Sequence, residues 1–507
     1  MKEKIQIIWF KKNLRIQDNA ILENINSEAP SLWVYFFEPH IMGLDDYSDF
    51  HLKFTLESLL ELQTNLLKLW IPLLILPYDA LEWFKYLQNT YDIDEIYSHE
   101  ETGNWETYMR DKAVLAWSKK QDITLTEYHT NGVVRRLSDR DNWWKIWQDR
   151  MNTDEYIPKE KYLWAHISTT DKKLTEKTID RYKTKISYLK TIQKGWEEVW
   201  IKVLKWFLEK RSSSYMYDIW KPYESATSCS RISPYITYGC ISIKTVLQHS
   251  LRRMKQLKEI WTPEAKRHKK SINTFLNRIH RQSHFIQKLE SEPEMQWKNL
   301  NPKFDNVRTK ADNKLIEKVF SSRSGVPYID ATIRQLQTYW WCNFRSRAIL
   351  VSFLCNTCMQ PWQAIAPIVA KLFTDYEPGI HYTQFQMQAG TTGINTIRIY
   401  NPVTNSEKKD PYGKFIHKYM PELKSVPLEF LHEPHLWEWF DSIDYPQPIV
   451  DIKANNKMAR DMLWKIKWNT PKSIKDKIVK KHASRKNNDR TKKKKKEKAV
   501  KNQTSLF

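Results

Sequence analysis

The sequence predicts an α/β domain built on a parallel sheet, followed by a mainly α-helical domain. Over roughly the first 130 residues, short apolar runs alternate with amphipathic helical stretches, which is the pattern of a parallel sheet with crossover helices. From about residue 206 the apolar residues recur with helical spacing instead. A chain of 507 residues, 41% of them hydrophobic, is long enough for two or three domains and a substantial core.

Four apolar runs predict buried strands in the first domain, and one amphipathic stretch predicts the helix between the second and third strands. The last run opens into a Glu-rich loop. Neither of the standard nucleotide-binding motifs, G-x-G-x-x-G and the P-loop, occurs in the sequence. The strand runs are IQIIWF (5–10), SLWVYFFEP (31–39), IPLLILPY (71–78) and YDIDEIYSHEE (91–101), and the helical stretch is HLKFTLESLLELQTNLLKLW (51–70).

The composition divides the chain into four parts. Residues 1–130 are predicted to form the α/β domain, and residues 131–205 are charged and irregular, which predicts a connection between domains. Residues 206–460 are predicted to form the helical domain. Residues 461–507 are Lys-rich and include five consecutive lysines, which is typical of a solvated tail, so we predict that they are disordered.

The net charge of +23 favours a polyanionic partner, because Lys and Arg gain affinity by releasing counterions from phosphates. A general bias toward Lys, Ile and Asn is the alternative explanation of this charge. No segment reads as a membrane span, since the most apolar one is interrupted by Lys68 and Pro72. The N-terminus lacks the apolar core of a signal peptide. We therefore predict a monomeric, cytoplasmic protein.

The cysteines and histidines do not predict a metal site. Five cysteines are too few and too irregularly placed for a disulfide framework. Cys355 and Cys358 form a C-x-x-C inside an apolar run, which indicates a buried helix face, and no second pair completes a zinc site. His280 and His284 share a helical face but lack the Glu of H-E-x-x-H, so we interpret them as structural.

Glycine is scarce, and its clustering marks one stretch. The chain has 10 glycines, and three of them, Gly379, Gly390 and Gly393, fall within fifteen residues beside Asp375 and Glu377. Glycine permits positive φ angles and lets another group approach the backbone closely. We therefore predict a ligand site here in preference to an ordinary loop.

Two further stretches carry candidate binding residues. Ser230 and Ser233 precede Pro234, and a helix is predicted to follow after Gly239 and Ser242. Hydroxyl and exposed N–H groups at a helix start favour an anion, although ordinary helix capping is the alternative. Arg345 and Arg347 lie at the edge of an apolar helix. A buried guanidinium needs a carboxylate partner, and Asp375 and Glu377 are the nearest acidic candidates in the next motif.

Seven motifs occur in an order that resembles the photolyase/cryptochrome family of flavoproteins. The resemblance covers roughly residues 5–460 and is strongest from residue 215 onward. The motifs are WFKKNLRIQDNAIL, SRISPYITYGCIS, GVPYIDATIRQL, WWCNFRSRAILVSF, DYEPGIHYTQFQMQAGTTGINTIRIYNP, DPYGKFIHKYMPEL and DYPQPIV.

The resemblance implies a Rossmann-like N-terminal antenna domain and a helical domain that binds FAD. It implies that reduced flavin, excited by blue light, passes an electron to a pyrimidine dimer in DNA and splits it. A second antenna chromophore, a folate or a deazaflavin, is also possible by this resemblance. Glu100 and Glu101 lie in a loop that could contact it, and a solvated acidic loop is the equal alternative.

The family's functional residues map onto named positions of this chain. Arg347 would pair with Asp375 beside the flavin ring, with Glu377 at the ring's polar edge and His381 facing N5. Trp362 matches the middle tryptophan of the family's electron relay, and an imidazolium at position 381 would make the redox state depend on pH. The flavin phosphates would contact Tyr217, Cys229, Ser230, Arg231, Ile232 and Ser233, and Phe275, Gln282 and Trp341 would lie near the cofactor, while Arg278 would stand at a catalytic position that holds the dimer.

Several positions depart from the family pattern and leave the reaction open. Phe275 stands where a Trp is common, Gln282 where a basic residue is common, and Phe385 where the relay tryptophan nearest the flavin is expected. Arg278 replaces a lesion-binding Glu, and Arg281 and Met387 replace two aromatic residues that pack against the lesion. We predict a dimer-repairing lyase, with a cryptochrome-like photoreceptor as the rival and a flavin-free nucleic-acid-binding scaffold as the third hypothesis.

Overall fold

A parallel sheet of five strands forms the centre of the N-terminal region. The computed structural model describes residues 2–190 and 193–483. Within these residues the strand order is β3-β2-β1-β4-β5, and every neighbouring pair is parallel. This confirms the predicted fold class, although the sequence analysis did not identify the fifth strand. The strands are β1 (Glu3–Phe10), β2 (Ser31–Phe36), β3 (Leu73–Leu76), β4 (Tyr91–His99) and β5 (Thr124–Tyr128).

The central strand is buried on both faces, which explains its continuous apolar run. Ile7 and Trp9 point into one hydrophobic core, and Ile8 and Phe10 point into the other. All four side chains are no more than 2% exposed. Successive side chains of a strand alternate between the two faces of a sheet, so helices must cover both sides.

Twenty-two α-helices connect the strands and build the rest of the described chain. The first eight are α1 (Ala20–Asn24), α2 (Pro39–Met42), α3 (Asp49–Leu67), α4 (Ala80–Thr90), α5 (Trp105–Lys120), α6 (Trp143–Asn152), α7 (Thr169–Lys185) and α8 (Glu197–Glu209). The next seven are α9 (Tyr215–Asp218), α10 (Ser225–Ser228), α11 (Ser233–Thr237), α12 (Ile243–Glu259), α13 (Pro263–Ser291), α14 (Asn313–Phe320) and α15 (Pro327–Tyr339). The last seven are α16 (Phe344–Ser352), α17 (Trp362–Ala370), α18 (Pro378–Ala389), α19 (Pro402–Lys409), α20 (Lys414–Tyr419), α21 (Ile452–Asn469) and α22 (Lys472–His482).

Short helices of other types punctuate the helical region. A π-helix spans Phe353–Thr357. The 3₁₀ helices are Arg211–Ser213, Pro293–Gln296, Pro302–Phe304, Pro421–Leu423, Pro434–Leu436 and Phe440–Ser442.

Two regions that the sequence analysis took as irregular contain helices. The stretch 131–205 holds α6, α7 and the start of α8, and each buries a few apolar side chains such as Trp147, Ile179 and Trp200. The predicted tail begins within α21, and α22 continues the ordered chain to His482. Both errors have one cause, because sparse apolar residues on a charged helix give a weak periodic signal. The part of the predicted tail after residue 483 lies outside the described residues.

The glycine cluster has mostly structural explanations. A Cβ on Gly379 would lie 2.6 Å from the Cα of Ile286, so this glycine lets α18 cross α13 closely. Gly390 ends α18 in the left-handed conformation with φ of 80°. Gly393 also has positive φ, and a Cβ there would meet the side chain of Asn301. The cluster therefore fixes the helix that forms one wall of the site described below, and the glycines do not face a ligand themselves.

The described helices give no candidate for a membrane span, because none combines sufficient length with sufficient apolar character.

Candidate functional site

A large cavity of about 770 Å³ opens among the helices of the second half of the chain. Its walls come from α9, the segment between α10 and α11, α13, the start of α16, α18 and the loop after α18. Ligand and cofactor sites usually occupy roughly 300–1,000 Å³, so this cavity is large enough for a dinucleotide. The two other small cavities near the sheet measure about 20 and 30 Å³.

Residues 229–233 form a backbone loop along one wall of this cavity. Arg211 holds the loop from behind, because its guanidinium donates to the carbonyl oxygens of Cys229 at 2.7 Å and of Ser230 and Thr227 at 3.2 Å. Because these carbonyl groups point toward Arg211, the opposite side of the loop faces the cavity. Arg211 is a positioning residue that the sequence analysis missed, since its partners are visible only in the folded chain.

Arg231 has strained backbone geometry within this loop. Its φ is 60°, in the left-handed region that costs a non-glycine residue about 1–2 kcal/mol. Its guanidinium lies 4.1 Å from the centre of the Trp341 ring, which is itself 8% exposed. Burial lowers the pKa of Arg231, although the side chain remains a cation. This conformation places a permanent positive charge on the cavity wall.

The ion pair that the sequence predicts between α16 and the segment before α18 is present. Nη2 of Arg347 lies 2.9 Å from Oδ1 and 3.2 Å from Oδ2 of Asp375. The Ser233 hydroxyl donates to Oδ2 at 2.7 Å. Burial raises the pKa of Asp375, but Arg347 and the Ser233 hydrogen bond outweigh it and lower the pKa below its usual range. Asp375 is therefore an anion that joins three walls of the cavity.

Positive charges dominate the cavity lining. Asp375 is the one carboxylate among the described residues that line it, and Arg347 already neutralises that charge. Such a surface attracts an anionic ligand, above all one with phosphate groups. The seven cationic residues in the lining are Arg231, Arg278, Arg281, Lys288, Arg345, Arg347 and Arg398.

Lys288 and Arg140 are buried cations at one end of the cavity without a carboxylate within ion-pair distance in the described chain. Lys288 is 7% exposed, and burial together with Arg140 lowers its pKa to about 8. Arg140 is 6% exposed, stacks 4.3 Å from the centre of the Trp143 ring and donates to Nδ1 of His284 at 2.6 Å. Its Nε and Nη1 have no hydrogen-bond partner. The sequence analysis did not identify either residue.

Eleven of the fifteen residues that the family resemblance singled out line this cavity. The other four, Tyr217, Trp362, Glu377 and His381, do not. The cavity therefore brings residues 229–233 together with α13 and α16, which lie far apart in the sequence. The eleven are Cys229, Ser230, Arg231, Ile232, Ser233, Phe275, Arg278, Gln282, Trp341, Arg347 and Asp375.

Tyr217 is 52% exposed and lies outside the cavity. Tyr215, on the same short helix α9, lines the cavity instead and packs against Phe275. Residues two apart on a helix are turned by about 200°, so only one of the two tyrosines can face inward. The predicted contact of Tyr217 with flavin phosphates has no support in this geometry.

His381 is buried behind the wall of the cavity. Ile380, Gln384 and Met387 form the cavity face of α18, whereas the ring of His381 turns toward α17 and its Nε2 donates to the carbonyl of Ala366 at 2.8 Å. Burial lowers the pKa of His381 to about 4, so the ring is neutral near pH 7. The structure does not place this histidine against a ligand in the cavity.

Glu377 lies one layer behind the cavity. It is 5% exposed, its Oε2 is 3.7 Å from Nζ of Lys12, and burial raises its pKa. Gln282 lines both the large cavity and a small neighbouring one of about 30 Å³ that Glu377 also lines. Oε1 of Gln282 and Oε1 of Glu377 are buried without a hydrogen-bond partner. These two unpartnered acceptors mark a polar edge. A ligand with N–H or O–H donors would supply the hydrogen bonds that they lack.

Trp362 is 2% exposed at the start of α17, and its Nε1 donates to Asn299 at 2.7 Å. Its ring centre lies 6.3 Å from that of Tyr382. The hydroxyl of Tyr382 donates to Asp46 at 3.2 Å. Phe385, in the expected place of the innermost relay tryptophan, is also buried. The role of Trp362 in electron transfer stays a prediction.

Arg278 and Arg345 both lie close to the Trp220 ring in the cavity lining. Their guanidinium carbons lie 5.0 and 4.7 Å from the centre of the Trp220 ring. Arg278 also lies 5.0 Å from the Phe344 ring centre. Burial lowers the pKa of Arg278, and Arg281 and Arg345 contribute in the same direction. Aromatic rings with neighbouring guanidiniums of this kind offer apolar contact and hydrogen-bond donors to a nucleotide base or phosphate.

The Glu-rich loop after β4 is partly buried, and Glu101 is its buried glutamate. Glu101 is 8% exposed and its Oε2 lies 2.6 Å from Nη2 of Arg110. Burial also raises the pKa of Glu100. The adjoining cavity of about 20 Å³ has room for little more than one water. The solvated loop considered for these residues is therefore wrong for Glu101, whereas Glu100 is half-buried. A chromophore contact there has no support in the described geometry.

The two cysteines of the C-x-x-C are buried, whereas the two paired histidines line the cavity. Cys355 and Cys358 are buried and free, and burial raises the pKa of both thiols. Among the described residues, no cluster of three or more His, Cys, Asp or Glu side chains is suited to hold a metal. His280 and His284, which we interpreted as structural, pack on Trp143 and also line the cavity.

Two family models match the chain. The model described as the FAD-binding domain of DNA photolyase matches residues 275–465, and the model described as DNA photolyase matches residues 6–139. The chain belongs to the photolyase/cryptochrome family. The second match covers the sheet and the first covers most of the cavity wall, so both halves of the family's architecture are present.

Curated relatives and solved structures agree with this membership. A deoxyribodipyrimidine photo-lyase of Alkalihalophilus pseudofirmus is 26% identical over 494 residues, which is 90% of this chain and 97% of the relative. One from Buchnera aphidicola is 25% identical over 89% of this chain and 95% of the relative.

The solved structures share the fold at low identity. A class III photolyase of Agrobacterium tumefaciens has a TM-score of 0.76 at 21% identity, covering 92% of this chain and 99% of that one. A Synechocystis cryptochrome has a TM-score of 0.75 at 17% identity, covering 91% and 99%. A photolyase and a cryptochrome therefore match the backbone equally well.

The residues of the cavity fit FAD, as the photolyase/cryptochrome family implies. The volume is sufficient, and the surplus of arginines suits a diphosphate. Gln282 Oε1 and Gln384 Nε2 are buried polar atoms at this wall with no partner in the protein, as expected where a ring with donors and acceptors binds. Arg231, Ser230 and Ser233 would hold the diphosphate, and Arg347, Asp375 and Gln282 would contact the ring.

Proposed function

We propose that this protein is a blue-light-driven, FAD-dependent lyase that repairs pyrimidine dimers in DNA. The observation that carries the proposal is the cavity itself, whose seven cations face one neutralised carboxylate and whose lining contains eleven of the residues expected from the family. When bound, FAD supplies the light-driven electron transfer that splits the dimer.

The residues of this chain have distinct tasks in the proposal. The loop 229–233, which includes Arg231, binds the diphosphate. The Arg347–Asp375 ion pair holds its two charges in place beside the flavin ring. Burial keeps water away from this pair, which strengthens its electrostatic effect. Phe275 and Trp341 provide flat apolar walls. His381 is neutral and bonded to Ala366, so it holds α18 against α17 instead of transferring a proton.

Arg278, which replaces the usual lesion-binding Glu, and Arg345 bind the lesion in this proposal. Both guanidiniums are permanent donors, and both line the cavity beside Trp220 and Phe344. A dimer carries carbonyl oxygens and an internal phosphate, and arginine forks bind both. A flipped-out lesion would therefore gain charge-assisted hydrogen bonds from these guanidiniums in place of the contact with the usual glutamate.

A cryptochrome-like photoreceptor is the second candidate. The observation in its favour is that Arg278, Arg281 and Met387, all in the cavity lining, depart from the family's repair pattern together. In this role the same cavity would hold the flavin, and light would change the binding of a partner without any repair.

The experiment is to irradiate the flavin-reduced protein with blue light in the presence of DNA containing pyrimidine dimers. Single-stranded and double-stranded substrates are compared, and the remaining dimers are counted against a dark control. We expect dimer loss only in the light. The variant Arg278→Met should retain its flavin and lose at least tenfold in repair, since a charge-assisted hydrogen bond contributes about 1.5–3 kcal/mol.

Arg267→Met is the matched control, because Arg267 is an exposed arginine on the same helix, paired only with Glu264. It should repair as the parent protein does. Unchanged dimer counts with fully reduced flavin would contradict the repair proposal and favour the photoreceptor. A purified protein that carries no flavin and cannot be loaded with it would contradict both candidates.

A further inference from the structure

The positive charge of the chain is concentrated at its C-terminal end. Residues 452–507 contain 20 Lys and Arg against 4 Asp and Glu, which gives +16 of the total net charge of +23. The described part of this segment, α21 and α22, already contains ten cations and two acids. A general lysine bias would spread the charge over the chain, so the concentration indicates a local anionic partner.

One face of α21 combines cations with two tryptophans, of which Trp468 is exposed and Trp464 is half-buried. Lys453, Lys457, Arg460, Trp464 and Trp468 follow one another at intervals of four, three, four and four residues, so they share one stripe of the helix. A different face of α21, with Asn456, Ala459 and Leu463, is buried against the protein. We refer to the stripe from Lys453 to Trp468 as the C-terminal stripe.

The aromatic end of this stripe is open to solvent at Trp468. Trp468 is 75% exposed, and its ring centre lies 6.1 Å from that of Trp464 with 32° between the planes. Core tryptophans of this protein, such as Trp9 and Trp33, are no more than 2% exposed. Two adjacent, tilted indoles on a basic surface, one of them largely exposed, form a platform on which unpaired bases can stack.

The stripe ends at the rim of the cavity. Nζ of Lys467 donates to the carbonyl of Asn395 at 2.6 Å, and Asn395 and Arg398 line the cavity. Leu463 packs on Gly390, at the start of the same loop. A strand bound along the stripe would therefore lead directly into the electropositive cavity.

We propose that the C-terminal stripe binds single-stranded DNA, with Trp464 and Trp468 stacking on unpaired bases and Lys453, Lys457 and Arg460 contacting phosphates. The proposal rests on the proposed function only for the lesion that follows into the cavity, because binding along the stripe needs neither light nor damage. Stacking explains a preference for single strands, since the bases of a duplex are already stacked on each other.

The test measures binding of undamaged, fluorescein-labelled oligothymidine to the full-length, flavin-loaded protein in the dark. Trp464→Ala/Trp468→Ala should bind at least fivefold more weakly, because each stacked base is lost with its aromatic partner. Lys453→Gln/Lys457→Gln/Arg460→Gln should flatten the plot of log K against log salt by about 2, given a slope of about 0.7 per phosphate contact on single strands.

Matched controls come from the N-terminal half. Trp70 is 83% exposed, and Lys172, Lys173 and Lys177 are exposed on α7, so Trp70→Ala and the triple Lys→Gln variant remove the same chemistry elsewhere. Both should bind as the parent does.

Three outcomes would overturn the proposal. One is binding by the stripe variants equal to that of the parent and the controls. Another is an equal loss of binding for the stripe variants and the control variants, which would indicate nonspecific binding to positive charge. A third is a loss on duplex DNA as large as that on the single strand. If dimer repair fails while the stripe variants still lose single-strand binding, the proposed function is wrong and this inference stands.

Discussion

Two buried groups of charges in this protein are built in opposite ways. At the carboxyl edge of the sheet, three cations meet four carboxylates in a closed network. Lys11 lies 3.1 Å from Asp111 and 3.2 Å from Glu127, and Arg135 lies 2.7 Å from Glu127. Arg110 binds Glu101 at 2.6 Å and also pairs with Glu38 and Asp111. The cavity, in contrast, has seven cations and one carboxylate.

This difference distinguishes charges that stabilise the fold from charges that are available to bind a ligand. In doubly wound sheets the carboxyl edge is the usual ligand crevice, yet here its charges satisfy one another. Burial alone would raise the pKa of Asp111, but Lys11, Arg110 and Arg135 lower it to about 2. In the cavity, Lys288 has no such partner and its pKa falls to about 8. A buried surplus of one sign is the better indicator of a binding site.

The largest effect is expected from breaking the closed network. Arg110→Met leaves Glu38, Glu101 and Asp111 without their shared cation, and we expect it to lower the free energy of unfolding by about 3–5 kcal/mol. Urea denaturation measures this. Lys4→Met, which removes an exposed pair with Asp94, should cost less than about 1 kcal/mol. A loss below 1 kcal/mol for Arg110→Met would show that the network is not structural.

Arg231→Gly should separate ligand binding from stability. Glycine adopts the φ of 60° without strain, so the stability of the flavin-free protein should change by no more than about 1 kcal/mol. FAD affinity should fall at least tenfold, since charge-assisted hydrogen bonds contribute about 1.5–3 kcal/mol. Calorimetric titration of FAD provides the measurement. Unchanged affinity would mean that Arg231 does not contact the cofactor.

Lys288→Met should stabilise the flavin-free protein at pH 7, by on the order of 2 kcal/mol. The pKa of Lys288 is about 8 in the fold against about 10.5 ordinarily, so the unfolded chain binds more protons between these values. The free-energy cost of burying the charged Lys288 side chain is complete below pH 8 and disappears as the pH rises to 10.5. The variant should therefore lose this pH dependence of stability.

Lys244→Met is the control of opposite sign, because buried Lys244 pairs with Asp18 at 2.7 Å. A destabilised Lys288→Met would contradict the unpaired-charge interpretation.

The smallest effect is expected at His381. Since burial holds its pKa near 4, the ring stays neutral from pH 6 to 8. His381→Asn should therefore leave the pH dependence of the lifetime of the flavin's light-induced state unchanged over this range. A parent protein whose lifetime varies with a midpoint between pH 6 and 8, and a variant that loses this variation, would restore the predicted role at N5.

Structural features that depend on a local sequence pattern or on a long motif could be predicted from the sequence. The apolar run of β1 and the pairing of Arg347 with Asp375 belong to this class. Arg140, Arg211 and Lys288 could not be identified, because their roles follow from neighbours more than 15 residues away or from the absence of a carboxylate. Tyr217 followed from the family resemblance, and a helix of four residues has no periodicity from which the sequence could show that Tyr215 faces inward instead.

The most direct test of the account is a crystal structure of the protein loaded with FAD. The account predicts flavin in the cavity, its diphosphate against residues 229–233, and the ionic network at the carboxyl edge of the sheet intact and without a ligand. A flavin bound at that edge, or a cavity that remains free of flavin at saturating FAD, would contradict it.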